Sequence, residues 1–137
     1  MCPPDHFAVT YSINPWMDPS IWTAAAGLLS SKSARQWQMF YEALLASGAE
    51  IELVKPTPDL PDLVFTANAA VVLDHKALLA RFRHAERRGE ESVFRRVLHN
   101  MKRVGALDHI AELPDNLILE GAGDCIWQLS SRRHARR

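Results

Sequence analysis

Apolar positions recur with a helical period in two places along this chain. Trp37, Phe40, Tyr41, Leu44 and Leu45 follow the i, i+3, i+4, i+7, i+8 rule, after Ser33 and Gln36 in capping-box spacing and before Gly48. The spacing predicts an amphipathic helix from Ser33 to Gly48. Phe94, Val97, Leu98 and Met101 repeat the pattern and end at Gly105, which predicts a second helix of the same kind. The two are in register at an offset of 57 residues: Trp37 with Phe94, Phe40 with Val97, Tyr41 with Leu98, Leu44 with Met101, and Gly48-Ala49 with Gly105-Ala106.

The offset extends upstream. Pro4-Asp5 and Pro61-Asp62 are again 57 apart, and each leads into a strand-like run, "HFAVTY" and "LVFTANAAVV". A third Pro-Asp, Pro114-Asp115, opens a further run 53 residues after the second. The repeating unit reads as Pro-Asp, strand, a second strand such as "KALLARF", helix, glycine cap, then a strand such as "EIELVKP". This pattern predicts an α/β fold of repeated units whose neighbours bury one another's faces. In that register the third unit's second strand falls at about residues 129 to 135, where "LSSRRHA" has no apolar alternation. The expectation is a domain over residues 1–129, broken off partway through a repeat, and a disordered basic tail over 130–137. An open repeat edge of this kind favours self-association or a complementing chain.

Composition narrows the classes. With 137 residues, 47% hydrophobic and 23% charged, the chain lies in the globular range, and its apolar runs are too short to span a bilayer. The start "MCPPDHF" lacks the parts of a signal peptide, so a cytoplasmic location and no membrane partner are expected. Four arginines in the last six residues leave the preceding 131 with 12 basic against 16 acidic groups, a mildly acidic body. Without an aromatic platform or a recognition motif, that basic end gives no reason to expect nucleic acid. Cys2 and Cys125 are read as free thiols, and neither has a ligand at metal-binding spacing, so neither a metal nor a cofactor is expected.

The phrases "MCPPDHF", "INPWMDP", "LPDLVFTANAAVVL", "ARFRHAERRGEE" and "LEGAGDC" occur in that order over residues 1 to 127. Together they make the chain resemble the guanidino-group-modifying superfamily of dimethylarginine dimethylaminohydrolases, arginine deiminases and amidinotransferases. The resemblance implies a partial pentein-type α/β propeller, about two ββαβ units and the start of a third. It also implies an arginine-like substrate, attacked in the family by a cysteine thiolate with a histidine as acid and base. A guanidinium is permanently charged and presents a rigid fork of donors, so carboxylates are the groups that hold it.

By the resemblance, Glu120 is the catalytic-site glutamate that grips the guanidino group, and Asp124 is the acid that follows the glycines. Asp62 is implied as a substrate contact, although its Pro-Asp pair also suits a turn leading into a strand. Asn68 stands where many relatives carry a second aspartate; an amide accepts a hydrogen bond but adds no charge. Arg87 resembles an arginine used on a substrate carboxylate, while the run around it also reads as a solvated loop and helix start. His84 is read as a surface histidine, Cys125 as a packed strand thiol, and Cys2 as having no catalytic part. The family's histidine and nucleophilic cysteine find no match. The expectation is therefore the N-terminal part of a guanidino-modifying enzyme, inactive alone, or else a non-catalytic guanidino-binding or interaction module completed by a partner chain.

Overall fold

The computed structural model describes residues 1–126, so the basic stretch 130–137 lies outside the described residues. Two helices and a three-stranded sheet make up the regular structure. Helix α1 spans Pro19–Ala46, β1 Ala70–Leu73, β2 Lys76–Leu79, α2 Arg88–Arg103 and β3 His109–Ala111. Strands β1 and β2 are antiparallel, β2 and β3 are parallel, and β2 lies in the middle. The β1–β2 turn is a two-residue hairpin at Asp74 and His75, both at positive φ (46° and 57°), the twist that suits a tight hairpin. Helix α2 forms the crossover from β2 to β3, as a parallel pair requires.

Helix α2 confirms the periodic reading. Glu90, Val93, Phe94 and Leu98 are buried, and Val97 and Met101 pack against the core with Ala77, Leu79, Phe82 and Leu107. Helix α1 is longer than expected. It begins at Pro19, where Asp18 Oδ1 accepts the Ser20 N–H at 2.9 Å and the proline occupies the first turn. Ser33 and Gln36 therefore lie inside the helix rather than capping it. The Ala-rich stretch before them has high helical propensity and joins the two parts across a kink at Ala25 (φ −137°, ψ 27°).

The two helix ends repeat in detail. Gly48 and Gly105 have φ of 85° and 84°. The Ala49 N–H donates to Leu44 O at 3.1 Å and the Ala106 N–H to Met101 O at 2.9 Å, the six-to-one bond of a glycine-capped C-terminus at the same 57-residue offset. Burial does not repeat. No residue of α1 is buried, and Met39, Phe40 and Leu45 are exposed, because no strand forms in the first unit to cover that face.

Strand content is lower than the apolar runs predict. The stretch from Pro61 forms two 3-10 turns, Pro61–Val64 and Thr66–Asn68, before β1 begins. The "HFAVTY" segment is irregular, and "EIELVKP" forms no strand but is hydrogen-bonded to the N-terminus, where the Val54 N–H donates to Met1 O at 2.8 Å and the Met1 amine to Glu52 O at 2.6 Å. Among the described residues, no helix is long and apolar enough to cross a membrane.

Candidate guanidinium site

Three of the expected site residues meet at one cavity. The 3-10 turn Pro61–Val64 places Asp62, the turn Thr66–Asn68 places Asn68, and the residue before α2 is Arg87. They line a cavity of about 330 Å³, with Phe7, Phe65 and Trp16 as aromatic walls. Phe7 is held edge-on to Phe65, with centroids 5.8 Å apart, and edge-on to Trp22 at 5.2 Å. Carboxylate and aromatic faces together suit a planar cation.

Arg87 is buried rather than solvated, only 7% exposed. Its Nε donates to Glu90 Oε1 at 2.8 Å and its Nη2 to Glu90 Oε2 at 2.7 Å, a bidentate pair. Nη2 also reaches Asp62 O at 3.4 Å, Nη1 donates to Asn68 Oδ1 at 3.2 Å, and the guanidinium carbon sits 4.3 Å from the Phe82 ring centroid. Asp62 Oδ2 lies 3.8 Å from Arg87 Nε. Burial alone would lower the Arg87 pKa, but the hydrogen bonds and charge of Glu90, with Asp62, outweigh it and raise it. Glu90 is fully buried; burial pushes its carboxyl up, Arg87 pulls it back, and Asp62 adds to the push.

The charges do not cancel. Asp62, Arg87 and Glu90 are the buried charged residues among those described, two acids against one base. Asp62 Oδ1 and the Tyr11 hydroxyl are buried without a hydrogen-bond partner. Burial, and then the adjacent Asp62 carboxylate, push the Tyr11 hydroxyl above its ordinary pKa.

Glu120 and Asp124 reach this cluster through the backbone. Leu119 bridges antiparallel to Arg81, which brings the 3-10 turn Gly121–Asp124 against Asn68. The Asn68 Nδ2 donates to Glu120 O at 2.9 Å. The Glu120 carboxylate accepts the Arg83 N–H at 3.2 Å, and the exposed Asp124 carboxylate accepts the Glu120 N–H at 2.7 Å. In this arrangement both side chains brace the turn and neither lines the cavity. Tyr11, Phe82 and Glu90 escaped the sequence reading, though the three-residue spacing of Arg87 and Glu90 on a helix start was a usable signal.

The thiols divide. Cys125 is exposed, not packed in a strand, because the chain enters the site as a 3-10 turn. Cys2 is buried, which raises its pKa to about 11 and keeps the thiol protonated. Iodoacetamide at about pH 8 is expected to alkylate Cys125 and spare Cys2 in the folded chain, read by mass spectrometry of peptides. Rapid modification of Cys2 without unfolding would contradict its placement.

No family model matches the chain. It is 42% identical over 132 residues to the bifunctional arginine dihydrolase/ornithine cyclodeaminase AgrE of a Nostoc species, covering 96% of this chain and 17% of that protein. The structure of AgrE with L-arginine superposes with a TM-score of 0.77 at 43% identity, over 90% of this chain and 17% of AgrE. The N-terminal domain of ArgZ, described as an arginine dihydrolase from cyanobacteria and bound to product, gives 0.73 at 37% identity, over 90% of this chain and 42% of that one. The dimethylarginine dimethylaminohydrolase of Mycobacterium tuberculosis is 39% identical over 94 residues, 69% of this chain and 30% of that protein. The chain thus spans less than half the length of each.

Proposed function

Since the chain corresponds to an N-terminal portion, 17% to 42% in length, of guanidino-group-modifying enzymes of the arginine dihydrolase and dimethylarginine dimethylaminohydrolase type, we propose that it forms a guanidinium-binding wall of such a site and does not itself transform the ligand. The observation that carries this reading is the surplus negative charge buried beside the cavity, with Asp62 Oδ1 unpartnered. An isolated buried carboxylate is costly, and a planar cation at that oxygen offsets the cost while stacking against the aromatic walls.

In this reading Asp62 takes one edge of the guanidinium of an arginine-like ligand. Asn68 contributes an amide contact without charge, Arg87 fixes the surrounding groups, and Glu120 and Asp124 brace the turn that holds Asn68. Residues 1–129 form one domain of two repeat units and the start of a third in a partial pentein-type propeller, a proposal supported by the matching glycine caps 57 residues apart. A second reading, a module completed by another chain, is favoured by the exposed apolar face of α1 and by Val72 and Leu73 exposed on the edge strand β1.

The test is an assay for citrulline, urea and ammonia release from arginine and methylated arginines, run beside a Cys125→Ser variant. No turnover is expected, because the buried Cys2 thiol is protonated and neither thiol lines the cavity. Turnover abolished by Cys125→Ser would overturn the claim that this chain binds without reacting.

A further inference from the structure

Pro114-Asp115, the third Pro-Asp pair of the sequence, meets an arginine, as the second does. Arg81 Nη1 donates to Pro114 O at 2.7 Å and lies 3.1 Å from Asp115 Oδ1. The same residue holds the far end of this segment through its backbone: its N–H donates to Leu119 O at 2.9 Å, and its carbonyl accepts the Leu119 N–H at 3.1 Å. Pro114 O also accepts the Leu117 N–H at 3.0 Å, so the arginine caps the turn that opens the segment. Packing contributes little here. Leu119 is the one buried residue from Pro114 to Glu120, and Leu117 and Ile118 are about half exposed. The path of the chain into Glu120 is therefore set chiefly by the bonds that Arg81 makes.

The geometry points to Arg81 as the positioning residue of the Glu120 turn: with its backbone on Leu119 and its guanidinium on Pro114 O, it fixes both ends of the segment that delivers Glu120 and Gly121 to Asn68. The ion pair with the fully exposed Asp115 is screened by solvent, whereas the charge-assisted bond to a backbone carbonyl has a fixed acceptor, so Pro114 O is the contact that sets the segment. Asn68 lines the Asp62 cavity, and its amide donates to Glu120 O, which links Arg81 to that cavity. This assignment rests on the guanidinium-binding reading for its ligand, but not for the bonded path from Arg81 to Glu120 and Asn68.

Two measurements on the full chain test it. In ¹⁵N-labelled protein, Arg81→Met keeps the backbone pair and removes the side-chain bond. The Gly121 amide and the Asn68 side-chain NH₂ pair are expected to shift, while the Ala77 amide in the middle strand stays in place. Arg81→Lys, which keeps a charged donor, is expected to return both signals toward their parent positions, and Asp115→Asn to leave them unmoved. In titrations, L-arginine is expected to bind about fivefold more weakly to Arg81→Met and to recover in Arg81→Lys. A folded Arg81→Met chain with a lower melting temperature but unmoved Gly121 and Asn68 signals would make the role of Arg81 purely structural and overturn the proposal. So would an Asp115→Asn chain that shifts them as far as Arg81→Met, since the ion pair and not the carbonyl would then set the segment. If Arg81→Met does not fold, Arg81→Gln, whose shorter side chain carries no charge, supplies the same readouts. If the unaltered chain binds no arginine, the guanidinium reading fails while the NMR comparison still decides the role of Arg81.

Discussion

Gly121→Ala is expected to lower the unfolding midpoint by about 10 °C or more, the equivalent of roughly 3 kcal/mol in a small domain. Two independent costs combine at this position. Gly121 has φ +85°, a conformation that an L side chain adopts only with strain. A Cβ there would also fall 2.6 Å from Ala67 O and closer still to Asn68 Cα, both rigid backbone of the turn that presents Asn68. The chain cannot relieve this by turning a side chain; the Gly121–Asp124 turn must move off Asn68, and the bond from Asn68 Nδ2 to Glu120 O is then lost. Gly123 is the control, since a Cβ there meets nothing within 4 Å and its φ is not in the left-handed region. Gly123→Ala is expected to change stability by less than about 1 kcal/mol. Equal effects at the two glycines, measured by thermal unfolding, would contradict the close docking of this turn.

Arg87→Met is expected to cost about 3–5 kcal/mol, because it leaves Glu90 and Asp62 as buried acids with no base between them. The loss has a defined pH dependence. Glu90 is already pushed upward by burial and held down by Arg87, so removing the arginine leaves only the upward influences. A carboxyl whose folded pKa exceeds its unfolded value binds more protons in the folded state. Its penalty is absent below the unfolded pKa and grows as pH rises through the window up to the folded pKa. The variant should therefore regain stability on acidification from about pH 7 to pH 5, where the parent chain gains less. Adding Glu90→Leu to Arg87→Met removes one buried charge and should recover a large part of the loss. Denaturant unfolding at the two pH values checks both statements; a pH-independent loss would mean that packing, not charge, dominates at this position.

The helices were legible because their information is local. Period 3.6 and a glycine at the end specify α2 and the caps at Gly48 and Gly105 with no knowledge of the sheet. The start of α1 was misread because Ser33 and Gln36 imitate a capping box inside a helix already begun at Asp18-Pro19. Burial of α1 was not legible at all, since amphipathic spacing says which face wants a partner and not whether one is present. Strands were overread for the same reason: "LPDLVFTANAAVV" is apolar throughout, yet only Ala70–Leu73 finds a neighbour.

The site was legible by residue type and not by geometry. Sequence placed Asp62, Asn68, Arg87, Glu120 and Asp124 among the candidates. Their distinct positions, three at a cavity and two in its supporting turn, depend on long-range contacts such as Asn68 with Glu120, 52 residues apart. Glu90 is not legible as a site residue, because an acid in a helix's first turn is commonplace on a surface and only burial reveals its bidentate hold on Arg87.

The central claim is that a buried surplus of negative charge selects a cation at the Asp62 cavity. L-citrulline has nearly the shape of L-arginine but a neutral urea group in place of the guanidinium, so calorimetric titration of the purified chain with each isolates the charge. Arginine is expected to bind at least about tenfold more tightly than citrulline, with that preference lost in Asp62→Asn. Equal affinity for the two, or an arginine preference untouched by Asp62→Asn, would contradict the account.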